Sequence, residues 1–179
     1  MRLLLTRDTW DKFAFTFVQT PVLHTFYKSR LEWRSLPIAR LKVFERVAAQ
    51  FMRFGVHFED AIAARPSNPR FLTDERCTVV MPTGQCRSFK VNLAHPIRQM
   101  RFWVVGSQAI TISALNRQGH CVAMAKTEIE PHEATAVHKR YAEQGMTIKT
   151  GTANVVRIDS KAPFVLTRCE VQQFHRVAS

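Results

Sequence analysis

The spacing of the apolar residues changes at Gly55, and this change constrains the fold more than any other feature of the sequence. Residues 37–54 carry apolar side chains at the three- and four-residue spacing of an amphipathic helix. After Gly55, apolar and polar residues alternate, which is typical of half-buried strands. The sequence therefore predicts a helical first part and a strand-rich second part. The apolar residues at helical spacing are Leu41, Phe44, Ala48, Phe51 and Met52.

Two helices are predicted in the first part. Thr20-Pro21 provides an N-cap and a first-turn proline for a helix over residues 21–33. The second helix covers residues 37–54 and ends at Gly55, because glycine suits the left-handed position that follows a helix. Alternating phenylalanines over residues 12–18 predict one strand ahead of both helices.

The second part predicts strands joined by short turns. A turn over residues 82–85 separates the first two strands, and Gly106-Ser107 separates the next two. A third turn is expected over residues 116–119, and a short helix over residues 131–144 before Gly145. The predicted strands are residues 76–81, 86–91, 101–105, 109–115, 120–127, 146–158 and 164–177.

This order of elements indicates an α+β fold with an N-terminal helical pair and a mostly antiparallel C-terminal part. A chain of 179 residues can bury one ordinary core without disulfides, and it is short for two domains. We therefore expect a single domain over residues 1–179, with a helical part over 1–64 and a strand-rich part over 70–179. The proline-rich residues 65–69 are expected to form a loop between these parts.

The sequence is strongly basic, with 26 Lys and Arg residues against 14 Asp and Glu residues, a formal charge of +12 and a pI near 10.3. The excess of bases is equal in residues 1–70 and 71–179, so a basic tail does not account for it. A basic protein associates with polyanions, and nucleic acid is the favoured polyanion for a cytosolic protein. We expect nucleic acid as the partner, RNA rather than DNA. Acidic proteins and anionic lipid are open alternatives.

Candidate site residues lie mainly in the predicted helices. His24, with Lys28 one turn later, could act as a general base on a ribose 2′-hydroxyl, and the alternative is a structural histidine. Tyr27 and Trp33 could stack on unpaired bases. Cationic side chains could track a phosphate backbone or simply form a solvated face. The candidate nucleic-acid-binding residues are Arg30, Arg34, Arg40, Lys42, Arg46, Arg53, Lys139, Arg140 and Arg168.

Metal and cofactor sites are not expected. The intervals between His120-Cys121, His132 and His138 do not follow the paired spacing of zinc ligands. The six glycines stand apart, which argues against the phosphate loops of NTPases and dinucleotide enzymes. We therefore predict no metal and no cofactor.

The cysteines and the N-terminus indicate a cytoplasmic protein. The four cysteines are scattered without a CxxC pair, which suits reduced thiols, and no disulfide is assigned. Residues 1–6 lack the apolar core of a signal peptide, and no stretch is apolar enough to span a membrane. We expect a cytoplasmic location and no membrane partner.

Several short segments occur in an order found in one known family. They are His24, Gly55-Val56-His57-Phe58, Ala125-Lys126, His138-Lys139-Arg140-Tyr141, and a run from Pro163 through Cys169 to Phe174. In this order they resemble the CRISPR repeat-RNA processing endoribonucleases of the type I-F kind, in which a serine stands at the position of Cys169. Residues 98–116 resemble a segment of related, non-catalytic guide-RNA-binding subunits.

The resemblance implies an RRM/ferredoxin-like sheet and an RNA-binding protein of a CRISPR-type ribonucleoprotein, which processes or holds guide RNA in antiviral defence beside other protein subunits. It leaves open whether the chain is an enzyme. A catalytic chain would be a metal-independent endoribonuclease in which His24 assists attack by the 2′-hydroxyl. One alternative is a non-enzymatic nucleic-acid-binding component of a phage or ribosome-associated assembly. A further alternative is a small enzyme with a Cys or His nucleophile.

Overall fold

Two antiparallel β-sheets make up most of the computed structural model, which describes residues 28–71, 78–128 and 140–177. Helical structure in these ranges is limited to single 3-10 turns at Ile38–Arg40, Met52–Phe54 and Pro69–Phe71. The strands are β1 (Lys28–Ser35), β2 (Arg46–Val47), β3 (Val56–Glu59), β4 (Ala61–Ala64), β5 (Val79–Pro82), β6 (Ser88–Leu93), β7 (Gln99–Gly106), β8 (Ile110–Leu115), β9 (Cys121–Lys126), β10 (Gln144–Lys149), β11 (Val155–Ser160) and β12 (Phe164–Val177).

The larger sheet has seven strands, in the order β10-β7-β12-β5-β4-β2 with β1 also paired to the long strand β12. The smaller sheet has the order β3-β6-β11-β8-β9. Consecutive strands often belong to different sheets, since β5, β7 and β10 lie in the larger sheet and β6, β8 and β11 lie in the smaller one. The chain therefore crosses repeatedly between the two layers.

The core lies between the inner faces of the two sheets. In β11, Val156 and Ile158 are fully buried while Arg157 between them is exposed, because alternate strand residues point to opposite faces. Across the layers, the ring of Phe89 on β6 stacks on Phe164 of β12 with 5.7 Å between centroids. Apolar packing of this kind holds the sheets together.

A second apolar cluster covers one end of the outer face of the larger sheet. Val79, Val105 and Val165 pack there with Phe71. The ring of Tyr141 meets Phe71 edge-on at 5.0 Å between centroids. The side chains that follow along β7 and β12 on this outer face are partly exposed.

The predicted α+β fold, with its RRM/ferredoxin-like sheet and N-terminal helical pair, is wrong. Residues 37–54 form two 3-10 turns and the short strand β2 instead of a helix. Phe44, expected on the apolar face of that helix, is 79% exposed and has a φ of 67°, which lies outside the α-helical region. Its N–H donates to the carbonyl of Ala63 at 2.7 Å. Pairing with a neighbouring segment thus replaces helical hydrogen bonds, and tertiary context overrides helix propensity.

The other two predicted helices do not form helix where the structure describes them. Residues 21–27 lie outside the described residues, and the rest of the first helix belongs to β1, which pairs with β12. Residues 131–139 of the late helix lie outside as well, and its end forms the start of β10. The strand predicted over residues 12–18 is likewise outside the described ranges. Strand pairing satisfies the backbone of β1, and the N–H of Tyr141 donates to the carbonyl of Arg70.

The later strands are confirmed, with small shifts at their ends, from β5 to β12. Residues 146–158, predicted as one strand, are two strands in different sheets, β10 and β11. The turn over 116–119 closes a hairpin between β8 and β9, whereas residues 82–85 and Gly106-Ser107 carry the chain from one sheet to the other. The single-domain organisation stays a prediction. In the ranges that the structure describes, no helix has the length and apolarity needed to cross a membrane.

Candidate functional site

The outer face of the larger sheet carries two tryptophans beside charged side chains. On β7, the buried residues Phe102 and Val104 alternate with Arg101 and Trp103, which point away from the core. The same alternation applies to β1 and β12, so aromatic and charged side chains become neighbours across the strands. We call the following six residues the Trp–Arg platform: Trp33 of β1, Arg101 and Trp103 of β7, Glu143 before β10, and Arg168 and Glu170 of β12.

The first half of the platform is centred on Arg101. Its guanidinium carbon lies 3.9 Å from the ring centroid of Trp33. Its Nη1 lies 3.8 Å from Oε2 of Glu170, the residue directly across from it on β12. The indole face and the carboxylate together favour one orientation of the guanidinium. The partly exposed indole of Trp33 is thereby held in place.

The second half repeats this arrangement. The guanidinium carbon of Arg168 lies 4.2 Å from the ring centroid of Trp103, and its Nη2 lies 3.6 Å from Oε2 of Glu143. The hydroxyl of Thr167 is within hydrogen-bond distance of the Trp103 carbonyl, at 3.0 Å, and of the Glu143 carboxylate. Each tryptophan of the platform is thus stacked by an arginine that also faces an acid.

Two backbone features produce the second half. The register between β12 and β7 shifts between Leu166 and Arg168, so that Thr167 is an additional residue, and such bulges re-aim side chains. Gly145 lies directly across from Trp103 on β10. A Cβ at Gly145 would lie 3.0 Å from Nε1 of Trp103, so the missing side chain leaves room for the indole.

Away from the apolar cluster at one end, the rest of this face is polar. Gln99 and Gln172 are partly exposed, and Thr147 and Lys149 of β10 are exposed. Gln172 lies directly across from Trp33, and its Oε1 is buried without a hydrogen-bond partner among the described residues. An acceptor of this kind gains from any donor that reaches it. The face therefore combines two indoles with amide, hydroxyl and charged groups.

The structure disperses the site residues predicted from the sequence, because the helices that were to align them do not form. His24, Tyr27 and Lys139 lie outside the described residues, and Lys28 and Arg30 belong to β1. Among the predicted site residues outside the platform, the exposed bases are Arg34 on β1, Arg40, Lys42, Arg46 and Arg53 along residues 40–53, and Arg140 before β10.

Only two of the predicted site residues, Trp33 and Arg168, belong to the platform among the residues that are described. The guanidinium of Arg101 stacks on the Trp33 ring, whose indole is still partly exposed. Sequence reasoning missed Arg101, Trp103 and the two acids. The signal was present, because strict alternation in residues 99–106 puts Arg101 and Trp103 on one face of a strand.

The described cysteines differ sharply in their surroundings. Cys169 is fully buried, and burial raises the pKa of its thiol, with the charge of Glu170 adding to the effect. Cys86 and Cys121 are exposed thiols, and Cys77 lies outside the described residues. The described ranges contain no group of three His, Cys, Asp or Glu side chains placed to hold a metal ion.

Comparison with known proteins gives only weak likenesses. No protein-family model and no curated protein matches the chain. Among solved structures, the chain is similar to the family 29 carbohydrate binding module CBM29-2 complexed with cellulohexaose (6% identity, 80% of this chain and 92% of that chain, TM-score 0.43). It is similar to an arabinose-bound α-L-arabinofuranosidase, MgGH51 (14% identity, 82% of this chain and 26% of that chain, TM-score 0.44). It is also similar to an adhesin domain of Lys-gingipain from Porphyromonas gingivalis (11% identity, 80% of this chain and 97% of that chain, TM-score 0.38).

The expected relation to CRISPR repeat-RNA processing endoribonucleases and guide-RNA-binding subunits is wrong. Their RRM-like fold packs helices on one sheet, whereas the described chain packs two antiparallel sheets. The expectation of an RNA or other nucleic-acid partner within a nucleoprotein complex is therefore corrected. Net charge was its main support, and the expected ridge of bases along two helices does not exist.

Proposed function

We propose that the Trp–Arg platform is a carbohydrate-binding surface. The observation that carries the proposal is the pair of tryptophans on an open sheet face, each oriented by a stacked arginine with a facing acid. The similarities to solved structures are too weak to indicate a ligand, so the proposal depends on the chemistry of this face.

The platform matches the two kinds of surface that a sugar presents. A pyranose ring has an apolar face of C–H groups, which packs on an indole, and a rim of hydroxyls that both donate and accept hydrogen bonds. The parts of the Trp33 and Trp103 indoles that stay exposed beside the stacked arginines suit the first. Arginine, glutamine and carboxylate groups around them suit the second, since they supply planar donors and acceptors.

The composition of the face also favours a sugar over a protein partner. Protein interfaces have a desolvated apolar centre. Here the apolar cluster lies at one end only, and Gln99, Thr147, Lys149 and Gln172 on the rest of the face are polar. The ladder partners of Trp33 and Trp103 on β12 are four residues apart, roughly 13 Å along the strand. A separation of this size on an open face suits several units of a chain better than a single sugar.

The test is calorimetric titration of the full chain with cellulohexaose, mannohexaose and arabinan oligosaccharides, following a glycan-array screen. We expect millimolar to micromolar binding that falls at least about tenfold in Trp33→Ala, because a buried stacking ring contributes about 1.5 kcal/mol or more. Phe44→Ala is the matched control, since it removes an exposed aromatic ring far from the platform strands.

Arg168→Ala provides a second variant, which keeps both tryptophans in the chain. We expect it to weaken binding through loss of the donor and of the orientation of Trp103. Circular dichroism of each variant checks that the sandwich is intact. Failure of the parent protein to bind any oligosaccharide on the array, or equal binding by parent, Trp33→Ala and Arg168→Ala, would show that the platform has another role.

A further inference from the structure

A second surface lies along residues 40–46, at the β2 end of the larger sheet. Exposed and covered side chains alternate there, with Leu41 buried and Val43 and Glu45 partly buried. Three exposed cations therefore flank one exposed aromatic ring along the chain. We call this surface the Phe44 segment, formed by Arg40, Lys42, Phe44 and Arg46.

The backbone holds Phe44 out in a conformation that a residue with a side chain rarely adopts. Its φ is 67° and its side chain is 79% exposed. A left-handed conformation is unfavourable for a residue with a Cβ, and the exposed ring gains little packing within the chain in return. Backbone strain at such a position points to a role of the ring outside the fold.

The Phe44 segment is also rigid, because Glu45 ties it together. Oε2 of Glu45 accepts a hydrogen bond from the backbone N–H of Lys42 at 2.9 Å, and Oε1 accepts one from Nε2 of Gln50 at 2.5 Å. Nε2 of Gln50 also donates to the carbonyl of Arg46 at 2.9 Å. These hydrogen bonds restrain the backbone that carries the ring, which reduces the entropy lost on binding.

The cations of this segment differ from those of the platform. Arg101 and Arg168 each face an acid within 4.0 Å. Among the described residues, Arg40 and Arg46 take part in no such ion pair. Their charge is available to an external anion.

We propose that the Phe44 segment attaches the protein peripherally to an anionic lipid surface, with the ring of Phe44 inserted at the interface and Arg40, Lys42 and Arg46 beside acidic headgroups. Cations near a membrane surface are attracted to acidic lipids, and an aromatic ring between them adds apolar insertion. An acidic protein would need a preformed pocket for a single projecting ring, whereas a fluid interface adapts to it. This inference is independent of carbohydrate binding by the platform.

The experiment is co-sedimentation of the full chain with vesicles of phosphatidylcholine alone and of phosphatidylcholine with 30% phosphatidylglycerol, at about 0.1 M salt. We expect binding to the anionic vesicles only. Phe44→Ala should weaken it about tenfold, and Arg40→Ala/Lys42→Ala/Arg46→Ala by about a hundredfold, at about fivefold per cation. Both variants should retain the oligosaccharide binding of the parent.

The control for charge is a triple alanine variant of Arg117, Lys126 and Lys161, which are exposed elsewhere. This variant lowers the net charge by the same three units as the triple variant of the Phe44 segment. The control for apolar exposure is Met124→Ala, since Met124 is 63% exposed on β9. Each should keep most of the vesicle binding. Equal loss in the two triple variants would mean attraction by total charge alone and would overturn the proposal.

A fluorescence variant, Phe44→Trp, gives a direct readout of insertion. Its emission should shift to shorter wavelength on anionic vesicles, while a Met124→Trp variant should not shift. Binding without such a shift would contradict insertion of the ring. Absence of binding to either kind of vesicle would show that this surface does not bind lipid. An emission shift with soluble polyglutamate in place of vesicles would indicate an acidic protein as the partner. Either result would overturn the proposal.

Discussion

Replacing Thr150 by valine should destabilise the fold by a measurable and bounded amount. Thr150 follows β10 directly, is completely buried, and donates its hydroxyl to the carbonyl of Ile97, just before β7. Valine has nearly the same shape as threonine but no donor. The substitution therefore removes one hydrogen bond at the end of the β7–β10 pair, which carries half of the Trp–Arg platform.

The magnitude follows from the burial of both partners. Ile97 is 1% exposed, so its carbonyl would lose a partner away from bulk water, at a cost of about 1 to 3 kcal/mol. The extra methyl group of valine offsets up to about 0.8 kcal/mol through apolar burial. With a cost in the middle of that range, about 2 kcal/mol, we expect a net loss of about 1 to 2 kcal/mol in the free energy of unfolding. For a domain of this size, this corresponds to about 2 to 8 °C in Tm.

The assay is urea unfolding of the parent and Thr150→Val, followed by tryptophan fluorescence and by circular dichroism. The midpoint should fall while the slope stays the same, since the native surface does not change. Thr147→Val is the matched control, because Thr147 is exposed on β10 itself, and it should change stability by less than about 0.5 kcal/mol. Equal stability of Thr150→Val and the parent would refute the assigned hydrogen bond.

Three other measurements test particular side chains. Thiol labelling near pH 8, mapped by mass spectrometry, should modify exposed Cys121 rapidly and Cys169 only after denaturation. The reason is that burial raises the pKa of the Cys169 thiol. Rapid labelling of Cys169 in the native protein would contradict its buried position. The Gln50 hydrogen bond is the main cause of the lowered pKa of Glu45, so Gln50→Ala should raise that pKa in an NMR titration. Since the folded pKa is lowered, this contribution to stability is present at neutral pH and is lost as the pH falls through the folded pKa. Phe44→Gly should leave Tm unchanged or raise it, because relief of roughly 1 kcal/mol of strain offsets the entropy of glycine, and a clear fall in Tm would argue against the φ of 67°.

The strands of the second part could be predicted from the sequence because alternation is a local signal. In β8, Ile110, Ile112 and Ala114 are buried and the residues between them are partly exposed, as the pattern requires. The partner of each strand is not a local property. β7 and β8 are separated by a short turn, as in a hairpin, yet they lie in different sheets, and nothing in Gly106-Ser107 distinguishes the two cases.

The first part was misassigned because two periods were compatible with the same residues. Leu41, Val47 and Phe51 are buried, which satisfies part of a helical pattern. The exposed residues 40, 42, 44 and 46 satisfy a period of two as well. What decided between them was pairing of this segment with residues 61–64, a contact that the sequence does not reveal. Gly55 was correctly predicted as a left-handed capping residue, although it ends a 3-10 turn.

The positive charge was the most misleading signal, because the count of bases says nothing about their neighbours. Arg101 and Arg168 are stacked on indoles and face acids, so their main effect is to orient the platform and not to add net charge. Arg40 and Arg46 contribute to the same +12 but remain without an ion pair among the described residues. Arginines that stack on indoles and face acids suit uncharged ligands, because they offer donors in fixed positions. Arginines without an ion pair suit anions, because their charge is not compensated. Sugar binding by the platform should therefore depend weakly on salt, whereas vesicle binding by the Phe44 segment should fall steeply as salt rises.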